Sequence, residues 1–169
     1  DNMAQQDTSP IKGQIMKFIE EKGPSLPAHV ANETGQSMLF SSAFLAELLS
    51  EKKLVLSHMK VGSSPIYFIS GQEPFLEKYA VYLGGKPGEA YNLLKEKRYL
   101  KDSDQPPPIR VALRSIKDFA KPFRFREDIY WRYITNSVED FLKEIDKEKN
   151  NTVEKNDFKK DVIDKDEIV

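Results

Sequence analysis

The chain has 169 residues, of which 39% are hydrophobic and 11% aromatic, a composition that supports one or two small folded domains. Its 26 lysines and arginines are balanced by 27 aspartates and glutamates, which gives a formal net charge of −1. This balance excludes a globally cationic protein, so any contact with a polyanion must depend on a local group of basic residues. The absence of cysteine excludes disulfides, thiolate zinc sites and cysteine nucleophiles.

Residues 9–71 are predicted to form a winged-helix domain. Helices are expected at residues 11–22, 27–34 and 37–51, and strands at residues 54–60 and 65–70. Gly62 lies between the two strands, where a tight turn is required. Three helices followed by a β-hairpin make the winged helix-turn-helix order. We therefore expect a mainly α-helical protein with small β-hairpins, of the α+β class.

The third predicted helix is the usual groove-reading helix of this fold. Met38, Leu39 and Phe40 join its apolar stripe, so we expect this helix to be deeply packed. Its predicted solvent side carries Ser41, Ser42, Glu47, Ser50 and Glu51. That side lacks the Arg, Asn and Gln residues that make bidentate contacts to bases, which disfavours sequence-specific readout.

Residues 72–104 are predicted to be connecting helices, and residues 105–148 a second helical unit. A helix is expected over residues 109–120, followed by two strands and a last helix at 137–147. Helix, helix and hairpin in residues 87–135 resemble a reduced second winged helix, and we leave open whether the chain has two such units in tandem. Residues 149–169 are charged and nearly free of aromatic residues, as is typical of a disordered tail.

The clearest charge pattern lies in the second unit. Four basic residues at helical spacing are expected to share one face of the 109–120 helix: Arg110, Arg114, Lys117 and Lys121. Arg124 and Arg126 follow among aromatic residues. Such a surface could contact phosphates and stack on bases, or it could be an ordinary solvated helix face paired with the acidic tail.

A second, wing-side contact is predicted in the first unit. Its candidate residues are Lys52, Lys53, Lys60, Ser41, Ser42 and Ser63. For the serines, the competing interpretation is a plain helix surface and a tight hairpin turn.

Catalytic chemistry has little support in the sequence. The two histidines, His29 and His58, lie in separate predicted elements, and there is no glycine-rich phosphate loop or serine nucleophile elbow. We therefore predict a protein that is not an enzyme and that has no cofactor and no metal site. The sequence lacks an apolar run of the roughly 20 residues that span a bilayer, so we expect no membrane association and a cytoplasmic location.

The segments KVGSSPIYFISGQE (60–73) and IRVALRSIKDFAKPF (109–123) resemble an uncharacterised family of small archaeal winged-helix proteins. Residues 11–70 are also similar to winged-helix transcription regulators. The resemblance implies a winged helix and an intracellular role, without catalytic residues or a known ligand.

Three functional hypotheses follow from these patterns. The first is a DNA-associated transcription regulator that binds through the phosphate backbone. The second is a scaffold for protein–protein interaction, with a protein partner or a homodimer. The third is an RNA- or ribosome-associated factor. Among nucleic acids, DNA is favoured over RNA.

Overall fold

The computed structural model describes residues 7–150 and the short strand Val162–Ile163. The α-helices are α1 (Ser9–Lys22), α2 (Pro27–Thr34), α3 (Met38–Ser50), α4 (Gly85–Lys97), α5 (Pro107–Ser115) and α6 (Val138–Lys149). Two 3-10 helices occupy Glu73–Tyr82 and Asp102–Asp104. The strands are β1 (Val55–Val61), β2 (Ser64–Phe68), β3 (Tyr99–Lys101), β4 (Ala120–Phe125), β5 (Asp128–Tyr133) and β6 (Val162–Ile163). The predicted α+β class is confirmed.

The described residues divide into two compact units, with the boundary between Leu76 and Glu77. The finer limits expected from the sequence, at residues 71, 104 and 148, stay predictions. The predicted tail, residues 149–169, lies outside the described residues except for its first two residues and β6.

The first unit has the winged-helix order. Helices α1, α2 and α3 precede the antiparallel hairpin of β1 and β2, and Ser25 forms an isolated bridge with Tyr67 of β2. The hairpin turns at Gly62, whose φ of 62° suits the first turn position of a two-residue loop. The core consists of Ile15, Ile19, Val30, Leu45, Leu48 and Leu54, all buried.

A bulge interrupts the pairing of β1 with β2. The register changes between Leu56 and Lys60, which would leave the backbone N–H of Ile66 without a partner on β1. The hydroxyl of Ser57 accepts that N–H at 2.9 Å and donates to the carbonyl of Met59 at 2.7 Å. This serine side chain therefore replaces the missing backbone pairing.

The second unit repeats the arrangement in a reduced form. Its antiparallel sheet has the order β3-β5-β4-β6. In the first unit the bridge residue Ser25 lies beside β2, and β2 lies beside β1, so Ser25, β2 and β1 correspond to β3, β5 and β4. Between β3 and β4, where the first unit has two α-helices, this unit has a 3-10 turn and α5.

Helices cover both faces of this sheet. On one face, Phe141 of α6 packs against Phe123, Phe125 and Tyr130, with ring centroids 5.0 to 5.3 Å apart. On the other, Tyr91 of α4 contacts Tyr133 and Phe119.

The predicted helix over residues 109–120 is wrong at its end. Helix α5 stops at Ser115, because Ile116 leaves helical geometry with φ −98° and ψ 54°. Phe119 and Ala120 are buried, and Ala120 pairs with Tyr133 as the first residue of β4. An apolar spacing that suits a helix also suits a turn into a buried strand, and strand pairing prevails here.

Candidate nucleic-acid interface

A buried carboxylate organises the basic residues of the second unit. The side chain of Asp102 is 4% exposed, whereas those of Arg110 and Arg114 are 45% and 33% exposed. Arg110 donates through Nε to Oδ2 at 3.0 Å, with its Nη2 also 3.0 Å from Oδ2. Arg114 donates Nη1 to Oδ1 at 2.7 Å and Nη2 to Oδ2 at 3.1 Å, which is a bidentate fork.

An aromatic residue completes this cluster. Trp131 of β5 donates its indole Nε1–H to Oδ1 of Asp102 at 2.9 Å, and the guanidinium of Arg114 lies 5.4 Å from the centroid of the same indole. The stacking adds a cation–π contact to the hydrogen bonds. We call Asp102, Arg110, Arg114 and Trp131 the Asp102 cluster.

The protonation of Asp102 follows from its surroundings. Burial alone would raise the pKa of this carboxyl group, but the hydrogen bonds from Arg114, Trp131 and Arg110 outweigh burial and hold the pKa below its usual range. The hydrogen bond to Asp102 likewise raises the pKa of Arg114. At neutral pH the cluster therefore carries two positive charges and one negative charge.

The remaining basic candidates of this unit do not share one surface. Because α5 ends at Ser115, Lys117 lies in the turn after it and Lys121 lies in β4, so the predicted four-residue helix face is wrong. Side chains alternate along a strand, and Lys121 lies on the α6 side of the sheet with Phe123. Arg124 lies on the opposite side, which it shares with Trp131.

Arg126 occupies the turn between β4 and β5. Its φ is 50°, that of the next residue, Glu127, is 68°, and its guanidinium lies 5.0 Å from the centroid of the Phe125 ring. Of the six candidates in this unit, three lie on the side of the sheet that carries Trp131: Arg110, Arg114 and Arg124.

Three of these basic side chains are not neutralised within the part of the chain that the structure describes. Lys117, Lys121 and Arg124 have no ion pair with an aspartate or glutamate of residues 7–150. Lys117 and Arg124 are exposed, whereas Lys121 is partly buried.

The candidates of the first unit are dispersed. Lys52 follows α3, Lys60 lies near the end of β1 and Ser63 lies in the wing turn, all of them exposed. Lys53 is also exposed, but its ammonium group pairs with Glu51 at 3.2 Å. Ser42 lies on the exposed side of α3.

The predicted packing of α3 is wrong in its first turns. Ser41, expected on the solvent side, is buried in line with Leu45 and Leu48. Met38, Leu39 and Phe40, expected inside, are 52%, 78% and 57% exposed. The buried stripe passes through residues 41, 45 and 48, so the apolar residues before Ser41 extend beyond the core. We call Met38, Leu39 and Phe40 the α3 apolar turn.

Sequence reasoning missed Asp102 altogether. Its partners follow it by 8, 12 and 29 residues, so a helical spacing of charges could show that Arg110 and Arg114 are neighbours but not which carboxylate they share. The available signal was weak, namely an aspartate two residues after the apolar pair Tyr99 and Leu100.

Residues 7–150 contain no group of three or more His, Cys, Asp or Glu side chains placed to hold a metal ion. None of their helices is both long enough and apolar enough to cross a bilayer.

Comparison with known proteins adds little to this geometry. No family model matches the chain, and no curated protein matches it. Among solved structures, it is similar to the transcriptional regulator Tm0710 from Thermotoga maritima, with 20% identity and a TM-score of 0.34. The match covers 52% of this chain and 72% of that one. The resemblance to an archaeal family stays a prediction.

Proposed function

We propose that this chain is a non-enzymatic nucleic-acid-binding protein that contacts the phosphate backbone, mainly through its second unit. A DNA-associated role in transcription regulation is the finer form of this proposal. The residues in contact would be Arg110, Arg114 and Arg124 on one side of the sheet, with Lys117 in the adjoining turn. Lys52, Lys60 and Ser63 would make separate wing-side contacts from the first unit.

The observation that carries the proposal is the unneutralised charge of the second unit. Lys117 and Arg124 are exposed and have no carboxylate partner within residues 7–150, and Arg110 and Arg114 share a single carboxylate. Such a local excess of positive charge attracts phosphates even though the whole chain is close to neutral.

The exposed side of α3 supports backbone contact over base readout. It presents Leu39, Ser42, Ala43 and Ala46 to solvent, none of which makes the bidentate contacts that distinguish base pairs. We therefore expect binding with little sequence preference. Duplex DNA is the favoured ligand, and structured RNA is the alternative that the same cations would also attract.

A charge reversal on residues without a structural partner tests this proposal. Reversing Arg110 or Arg114 would place a new carboxylate beside buried Asp102 and threaten folding, so the better variant is Lys117→Glu combined with Arg124→Glu. Binding to duplex DNA, single-stranded DNA and structured RNA is measured by fluorescence anisotropy for the parent and this variant. We expect the parent to prefer duplex DNA and the variant to bind it about tenfold more weakly at low salt.

The matched control makes the same charge change on α6, on the other side of the sheet. Lys143→Glu combined with Lys147→Glu should leave the affinity within about twofold of the parent, since these lysines lie outside the proposed surface. Equal weakening by both variants would mean that only net charge matters, and absence of binding by the parent would end the proposal.

The α3 apolar turn favours a second candidate function, a protein-interaction module. Three large apolar side chains exposed in consecutive positions are unusual on a surface that contacts only phosphate and water. Sedimentation of the parent and of Leu39→Glu would test it in the form of a homodimer. A dimeric parent that Leu39→Glu dissociates would support this candidate, whereas a monomeric parent would rule out the homodimer.

A further inference from the structure

The two arginines of the Asp102 cluster are far more exposed than the carboxylate that they share. The carboxylate is covered, but Arg110 and Arg114 keep 45% and 33% of their side chains exposed. Burying the carboxylate therefore does not bury its two partners. Both arginines reach solvent, whereas the carboxylate that they share is almost fully covered.

The hydrogen bonds leave specific donors for a ligand. Arg110 uses Nε and Nη2, and Arg114 uses Nη1 and Nη2, on Asp102; Nη1 of Arg114 also reaches the carbonyl of Arg110 at 2.9 Å. Among the described residues, Nη1 of Arg110 and Nε of Arg114 have no hydrogen-bond partner. The two guanidinium groups are thus fixed in position while donors from both remain unused.

Fixed guanidinium groups are suited to phosphate. A flexible arginine loses side-chain entropy when it binds an anion, and a group that is already held in place loses less. The cluster has a net charge of +1, and Arg124 lies on the same side of the sheet, so the site attracts anions despite its carboxylate.

We propose that Asp102 is a positioning residue that holds Arg110 and Arg114 as one preorganised pair for a single backbone phosphate of a nucleic acid. This inference rests on the proposed function and adds to it the element that fixes the geometry of the contact. It predicts that an aspartate, although it repels phosphate, strengthens phosphate binding through the arginines that it orients.

The direction of the affinity change in one variant, Asp102→Asn, distinguishes this positioning role from simple electrostatics. Asp102→Asn and Asp104→Asn both make the chain more positive by one charge, and Asp104 is an exposed residue of the same 3-10 helix. Simple electrostatics predicts that both variants bind duplex DNA more tightly. Positioning predicts tighter binding for Asp104→Asn and roughly tenfold weaker binding for Asp102→Asn, the equivalent of a lost charged hydrogen bond.

A second pair of variants keeps the test decisive if Asp102→Asn does not fold. Arg110→Lys combined with Arg114→Lys keeps both charges but removes the planar forks, and we expect roughly tenfold weaker binding. The control Arg98→Lys, at a half-exposed arginine that pairs with Glu144 and lies outside the proposed contact residues, should change affinity by less than about twofold. Circular dichroism shows which variants are folded.

The outcomes separate the two proposals. If the parent binds duplex DNA and Asp102→Asn binds as tightly as Asp104→Asn, or if the lysine pair binds like the parent, the positioning role is wrong and the proposed function stands. If the parent binds no nucleic acid, both proposals are overturned.

Discussion

Replacing Asp102 by asparagine should destabilise the second unit by about 2–3 kcal/mol at neutral pH. The substitution keeps the shape of the side chain but removes the charge that receives hydrogen bonds from Arg110, Arg114 and Trp131. Loss of one partner from a fully buried ion pair costs about 3–5 kcal/mol. We expect a smaller loss of stability for Asp102→Asn because both arginines are partly exposed, so water can solvate them when the carboxylate is gone.

The chain contains a single tryptophan, and it belongs to the cluster. Urea unfolding followed by the fluorescence of Trp131 therefore reports on the second unit alone. The substitution should lower the midpoint of this transition without changing its slope. A loss of stability below about 0.5 kcal/mol would refute the view that the cluster holds α5 to the sheet.

The pH dependence provides an independent check of the same reasoning. The hydrogen bonds hold the pKa of Asp102 in the folded chain below its ordinary value of 3.8, so its ionised form stabilises the fold. That contribution is fully present above pH 3.8 and is lost as the pH falls through the lower, folded-state pKa. The stability difference between parent and Asp102→Asn should accordingly be constant near neutral pH and shrink in strong acid. A difference that persists unchanged at the lowest pH would contradict this assignment.

Three further substitutions test other parts of the account. Ser57→Ala should destabilise the first unit by about 1–2 kcal/mol, because the N–H of Ile66 loses its acceptor; hydrogen exchange at that amide should accelerate, and unchanged protection would contradict the role of Ser57. Glu127→Gly should stabilise the β4–β5 hairpin by about 1 kcal/mol, since glycine adopts its φ of 68° without strain; a lower midpoint in the Trp131 assay would count against this reasoning. Leu39→Ser should change stability by less than about 0.5 kcal/mol, because Leu39 is exposed; a larger loss in thermal unfolding would mean that the α3 apolar turn packs internally.

Local signals made most of the first unit predictable. Ser37 caps α3 by accepting the N–H of Phe40 at 3.2 Å, and Gly62 turns the wing hairpin, so both boundaries depend on residues close in sequence. The winged-helix order followed from three amphipathic segments and one hairpin, and it is confirmed.

The second unit was less predictable because its features depend on distant pairings. Strand β3 has three residues, too few for a period of two to be visible, and it exists because it pairs with β5 about 30 residues later. The end of α5 depends on the pairing of Ala120 with Tyr133. Each feature requires knowledge of a partner that the local sequence does not identify.

The misplaced residues of α3 show a different limit. Met38, Leu39 and Phe40 adjoin the apolar stripe of the helix in the sequence, but the sequence does not show whether other residues of the chain pack against them. The buried face of α3 is the one that carries Ser41, Leu45 and Leu48. Because one of these three residues is a serine, the pattern of apolar residues alone did not identify that face. An exposed apolar turn therefore became visible only in the structure.

The most direct test of the central claim is the salt dependence of binding to duplex DNA. The logarithm of affinity should fall linearly with the logarithm of salt concentration, with a slope of about −0.9 for each phosphate neutralised. Replacing Lys117 and Arg124 by glutamate should make that slope shallower by about 2, whereas the α6 control pair should leave it unchanged. A parent whose affinity does not respond to salt, or a slope that is the same in all three proteins, would contradict phosphate contact by the second unit.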